Sequence, residues 1–129
     1  MNLHGYVIRL ETILRSRQDF ELNDMRLTLM SLGAVIVAKL TFYDGSQLSF
    51  TEQVEQVAPR QVERRAYKFH YQRADGTLVF RYDNSPHHPH LTTFPAHKHV
   101  GEQVIESPAP DLTEVLREID KLLYPDADS

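Results

Sequence analysis

Five histidines, His87, His88, His90, His97 and His99, fall within thirteen residues of one another in a chain of 129 residues that holds seven in all. Imidazole has a reference pKa of about 6.5, so clustered imidazoles suit proton transfer near neutrality, and their ring nitrogens also ligate Zn²⁺ and similar ions. Arg81 and Asp83 stand just ahead of the cluster and Lys98 stands inside it. Arg and Lys stabilise phosphate charge, the first as a planar fork and the second as a point charge.

Three uses of this segment are open. In the first, the histidines act with Lys98, Arg81 and Asp83 in metal-independent acid/base chemistry on a phosphodiester. One imidazole takes the proton of a ribose 2′-hydroxyl and another protonates the leaving oxygen. In the second, His87, His88, His97 and His99 supply three ligands to Zn²⁺ or another imidazole-preferring ion, with Asp83 as a further donor. His97 and His99 are two apart and share a face of an extended segment, but the chain has no HExxH spacing. In the third, Pro86, Pro89 and Pro95 and the histidines build a stiff loop by ring stacking and backbone hydrogen bonds, with no chemistry.

The residues before the cluster give it a floor. Asp75-Gly76 separates Tyr67-Lys68-Phe69-His70-Tyr71 from Leu78-Val79-Phe80-Arg81-Tyr82, a hairpin signal. A two-residue type I′ loop pairs Tyr71 with Phe80 and Phe69 with Tyr82 on one face, and His70 with Arg81 and Lys68 with Asp83 on the other. One face is then aromatic core, and the other gathers an imidazole, a guanidinium, an ammonium and a carboxylate. Ordinary solvated charge pairs are the competing reading of that polar face. The aromatics Tyr67, Phe69, Tyr71 and Tyr82 interleave with Arg64, Arg65, Lys68, Arg73 and Arg81, as in single-strand binders, although alternation sends the rings to the core. Arg64, Arg65, Lys68 and Arg73 remain candidate RNA contacts. The segment 85–99 runs off the second strand and is expected to fold back over this face as a histidine-rich loop, bringing imidazoles to Arg81 and His70.

These residues need a scaffold, and the pattern supplies one. Leu3, Tyr6, Val7, Leu10, Ile13 and Leu14 have helical spacing, with Arg9, Arg15 and Arg17 expected to face water. The period then falls to two for some eighty residues. Its phase slips near Asn23-Asp24, which signals a bulge or tight turn, and Asp44-Gly45 marks a first hairpin. Val100 to Glu106 makes a further short strand. Asp111 and Glu114 form a capping box before a stripe of Leu112, Val115, Leu116, Ile119, Leu122 and Leu123, and Pro125 ends that helix. The expected architecture is α+β: an N-terminal helix, an antiparallel meander of five or six strands and a C-terminal helix, with both helices on one sheet face. Residues 1–129 read as a single domain with a frayed acidic tail at 126–129.

Composition narrows the class. There is no cysteine, which removes disulfides, thiolate zinc sites and a cysteine nucleophile. The longest apolar run, Gly33 to Ala38, is far short of the roughly 20 residues of a membrane span, and no secretory pattern opens the chain, so a cytoplasmic protein is expected. The net charge of −4 argues against an anionic partner, but it is unevenly spread. Residues 60–99 carry seven Lys+Arg against three Asp+Glu and six of the seven histidines; the remainder carries seven against fifteen.

Residues 67–119 resemble the TumE-type toxins of prokaryotic toxin-antitoxin modules, through the FHYQ strand, FRYDN, the HHP turn, the FP..HKHVG segment and the terminal helix. DGSQLSF extends the similarity weakly. The resemblance implies a toxin encoded beside a DNA-binding antitoxin that neutralises it, and a toxin of this size points by analogy to RNA or translation as its target. Residue by residue it picks out His70, Arg81, Tyr82, Asp83, Asn84, His87, His88, His97, Lys98 and His99. Ala96 stands where the family often has histidine, so no role carries to that position. The alternative from another class is a non-catalytic interaction module whose histidine loop is structural or metal-binding.

Overall fold

The computed structural model describes residues 1–126, so most of the tail at 126–129 lies outside the described residues. Helix α1 spans Leu3–Ser16, seven strands follow, and helix α2 spans Leu112–Leu123. The strands are β1 (Phe20–Leu29), β2 (Gly33–Phe42), β3 (Gln47–Ala58), β4 (Gln61–Gln72), β5 (Leu78–Asp83), β6 (His97–Val100) and β7 (Gln103–Glu106). They pair in chain order as one antiparallel sheet. The α+β class and the helix–sheet–helix order are as the periodicity indicates, but the strand count is seven.

The additional strands come from the segment after Asn84. Val100–Glu106 is not one strand; Gly101 takes φ 59° and turns the chain, making a hairpin of β6 and β7. His97, Lys98 and His99 therefore lie on β6, paired with β5, and the irregular loop is confined to residues 84–96. The prolines hide this strand from a scan for regular periodicity, yet all three lie before it. The slip at Asn23 is a bulge between Leu22 and Asp24.

Both tight hairpins differ from the two-residue type in one respect. Tyr43-Asp44-Gly45 and Ala74-Asp75-Gly76 are three-residue loops, with Gly45 at φ 83° and Gly76 at φ 89° closing each turn in the left-handed region. At the second hairpin an irregularity between Tyr71 and Gln72 absorbs the extra residue. Lys68 still pairs with Asp83, Phe69 with Tyr82, His70 with Arg81 and Tyr71 with Phe80, as the alternation requires.

The core lies on one face of the sheet. Ile36, Leu40, Leu48, Phe50, Phe69 and Phe80 are buried there with Val7, Leu10 and Leu14 of α1 and Leu112, Val115, Leu116 and Ile119 of α2. Leu122, expected in that stripe, is 53% exposed. Phe50 stacks on Phe69, and Phe80 meets Tyr71 and Tyr82 with centroids 5.3 and 5.4 Å away. Asn2 caps α1, and Asp111 and Glu114 cap α2 reciprocally. Glu52 is the buried acid of this face; it accepts from the Tyr6 hydroxyl and from Arg64. No helix among the described residues is long and apolar enough to cross a membrane.

Arg17 does not face water. It follows α1 and donates to Asp19 and to Asp120 of α2, tying the two helices at one end. The Arg17 guanidinium holds the Asp19 carboxyl below its ordinary value, against a smaller upward push from burial. A depressed folded value gives stability that is present above the unfolded carboxylate range, near pH about 4, and that is lost as pH falls through the folded value. Urea midpoints of the wild type should therefore fall more steeply between about pH 4 and pH 2 than those of Asp19→Asn; equal slopes would remove this role.

Candidate functional site

The face without helices carries the polar residues in two cross-strand rows. Ser49, His70, Arg81, His99 and Val104 form one row across β3 to β7, and Thr51, Lys68, Asp83, His97 and Glu106 form the other. Neighbouring strands lie about 4.8 Å apart, so His70 and His99 flank Arg81 at roughly 10 Å from each other. Their adjacency to Arg81 comes from strand pairing rather than from a loop folding back.

Asp83 organises the cluster. Its carboxylate is nearly out of water, with 8% side-chain exposure, and Oδ1 accepts the Ser85 amide at 3.0 Å. His97 Nε2 is 3.0 Å from Oδ1, His99 Nε2 is 3.4 Å from Oδ2 and Arg81 Nε is 3.3 Å from Oδ2. Burial pushes the Asp83 carboxyl up, but the Ser85 amide and the two imidazoles outweigh it and hold the group below the usual carboxylate range.

The hydrogen-bond partners fix what each imidazole can do. His97 is 2% exposed and lies between two acceptors, the Pro95 carbonyl at Nδ1 (2.9 Å) and Asp83 at Nε2. It is a buried positioning group with no nitrogen turned to solvent. His99 Nε2 lies 3.2 Å from Arg81 Nη2. A guanidinium only donates, so His99 Nε2 is the acceptor and carries a lone pair. Burial, and after it Arg81, lowers the His99 pKa against an upward pull from Asp83, which favours the neutral ring. His88 reaches over the pair, its ring 4.8 Å from His97 and 6.0 Å from His99, edge to face. Its pKa is also lowered, first by the cost of desolvating the charged ring and then by the neighbouring imidazoles.

Other candidates separate. His70 bonds Gln72 at 3.0 Å on the same face. Lys98 pairs with Tyr82 across β5 and so points to the helix face, where it bonds Glu118 at 2.8 Å and lies over the Tyr82 ring. It is not beside His97 and His99, because successive side chains on a strand leave on opposite faces. Arg64 is also on the helix side, bonded to Glu52 and stacked on Tyr67 at 4.2 Å. Arg73 stands at the hairpin turn. Arg65 and Lys68 do border the polar face, where a groove of about 740 Å³ runs past Arg81, Asp83, Asn84, Ser85 and His87. Arg65 is engaged there by Glu55 and Glu63. The floor of that groove, Val35, Thr51 and Gln53, is absent from the sequence candidates; continuing the Lys68 row by register into β3 is the signal that finds Thr51.

Arg81 retains free donor capacity. Its Nε is buried without a hydrogen bond of acceptable geometry, although Asp83 is near. A cationic fork backed by a buried carboxylate and flanked by imidazoles, at the wall of an open groove, has the chemistry to hold an anion beside groups able to transfer a proton.

The fold is of the α+β class, with one sheet face buried under helices and the other bearing this cluster. The chain belongs to the TumE toxin family, whose family model matches residues 9–123, nearly its whole length. It is accordingly the toxin component of a toxin-antitoxin module, with an antitoxin as partner. Neither the curated proteins nor the solved structures contain a significant match.

Two substitutions separate the faces. Asp83→Ala leaves His97 and Arg81 without their buried counter-charge and should cost about 3–5 kcal/mol in urea unfolding. Lys98→Met should cost only about 1 kcal/mol and leave growth inhibition intact when the toxin is expressed without its antitoxin. Loss of toxicity with a folded Lys98→Met chain would place Lys98 in the working site.

Proposed function

We propose that this toxin attacks RNA by cleaving phosphodiesters with imidazole acid/base catalysis that needs no metal ion. The observation that carries the reading is the row His70–Arg81–His99 on the uncovered face, with Asp83 behind it.

The scissile phosphate docks on Arg81, with Lys68 one row away. As the guanidinium turns to the phosphate it releases the lone pair of His99 Nε2, which then takes the proton of the ribose 2′-hydroxyl. The 2′-oxygen forms a bond to phosphorus, the bond to the 5′-oxygen breaks, and His70 gives that oxygen a proton. The products are a 2′,3′-cyclic phosphate and a 5′-hydroxyl. His97 and Asp83 do not touch the RNA; they hold His99 and Arg81 in place. His87 and His88 border the groove and the cluster from the irregular segment. On this face Lys68 and Arg81 supply the positive charge that draws RNA, and the acidic character of the chain as a whole limits indiscriminate binding. A cytoplasmic site of action and a DNA-binding antitoxin accompany this reading.

Purified toxin incubated with cellular RNA in the presence of a chelator should release fragments with cyclic phosphate ends. His99→Ala and Arg81→Ala should each lower the rate by about 100- to 10,000-fold, and an RNA with 2′-O-methyl groups should remain whole. Cleavage that disappears with the chelator, or that survives both substitutions, would sink the reading, as would intact RNA after prolonged incubation with toxic, folded protein.

A further inference from the structure

We propose that His88, His97 and His99, with the Asp83 carboxylate, form a binding site for a Zn²⁺-class divalent ion. The three histidines each offer a ring nitrogen, and these atoms lie within 4.8 Å of one another. Three points so spaced share a centre no more than about 2.8 Å from any of them, and Zn–N bonds are about 2.0–2.1 Å. Closing the site needs inward shifts below about 1 Å. His88 supplies the most freedom, because it sits in the irregular segment 84–96 and is only partly buried.

The remaining contacts match a tetrahedral set. Ligands on such an ion at about 2.0–2.1 Å stand roughly 3.3–3.4 Å apart. Asp83 Oδ1 lies 3.0 Å from His97 Nε2 and Asp83 Oδ2 lies 3.4 Å from His99 Nε2, so a carboxylate oxygen stands beside each of these two nitrogens and a small turn of the group brings one of them to a shared centre. His97 is also oriented as metal-ligating histidines are, with its other nitrogen on a backbone carbonyl, that of Pro95 at 2.9 Å. His99 Nε2 already carries a lone pair, because its partner Arg81 can only donate. Three imidazoles and one carboxylate favour Zn²⁺ and Co²⁺ over Mg²⁺ or Ca²⁺, which seek oxygen donors.

The site rests on this geometry and stands or falls independently of RNA cleavage. An ion there would occupy the same His99 nitrogen that proton transfer uses, so ion-bound and cleaving forms are alternative states of one cluster.

Metal-stripped full-length toxin titrated with Co²⁺ provides the test. The expected result is one ion per chain with the intense visible bands of tetrahedral Co²⁺, displaced by one equivalent of Zn²⁺, and a rise in Tm with Zn²⁺. His99→Ala and His88→Gln should each weaken binding at least tenfold and abolish the Tm rise, while His90→Ala should change neither. His88→Gln alters a partly exposed residue outside the sheet, and its unliganded Tm shows whether the chain is folded. Weak octahedral bands alone, or equal affinity in folded His88→Gln and wild type, would overturn the site whatever the RNA assay gives. Conversely, RNA left intact by the metal-stripped, folded toxin, when the same protein gives tetrahedral Co²⁺ bands on titration, would sink the cleavage reading and leave the site standing.

Discussion

A carboxylate held almost out of water sets the terms for this toxin's polar face. Asp83 cannot remain charged there without partners, and it has them in the Ser85 amide and His97, with the Arg81 guanidinium as a nearby positive charge. Unpaired, such a charge costs several kcal/mol, so the strands carrying its donors are held in one register. The pairing of β5 with β6 puts Asp83 opposite His97 and Arg81 opposite His99. Backbone pairing and charge pairing thus specify the same alignment, and a slip of one residue in β6 would move His97 and His99 to the core face.

The sheet divides labour between its faces. Large apolar and aromatic side chains of β2 to β5 meet two amphipathic helices on one side, and this packing stiffens the strands. The other side is thereby free to be polar without loss of stability. Lys98 shows how sharply the division is drawn. It lies between two histidines in sequence, yet it serves the opposite face by joining β6 to Glu118 of α2. It ties the short sixth strand to the helix layer and does not belong to the imidazoles' face.

The cluster also explains why its histidines differ from one another. His97 is enclosed and spoken for at both nitrogens, which suits positioning rather than exchange with substrate. His99 keeps an accepting nitrogen toward a guanidinium, and His88 closes over both from a segment that is not part of the ladder. One cluster thus sets a strand-borne imidazole, a histidine from outside the ladder and a guanidinium side by side, the combination on which the proposed proton transfer and the proposed metal ion both draw.

The alternation of Tyr67 to Tyr71 and Leu78 to Tyr82 determines by itself which residues share a face, and hence that His70, Lys68, Arg81 and Asp83 lie together. Even the loop type does not matter, since an irregularity near Tyr71 restores the register. The helices and their caps are equally local, depending on spacing and on Asp111 with Glu114. Tertiary structure alone decided that His97 to His99 form a strand, because four residues after a proline-rich stretch gain strand geometry only by pairing with β5 and β7. It also decided that Lys98 and Arg64 leave the polar face, since their partners Glu118 and Glu52 are 20 and 12 residues away in sequence. Local pattern fixes a face because alternation is a property of one strand; it cannot place a charge whose counter-charge arrives from another layer.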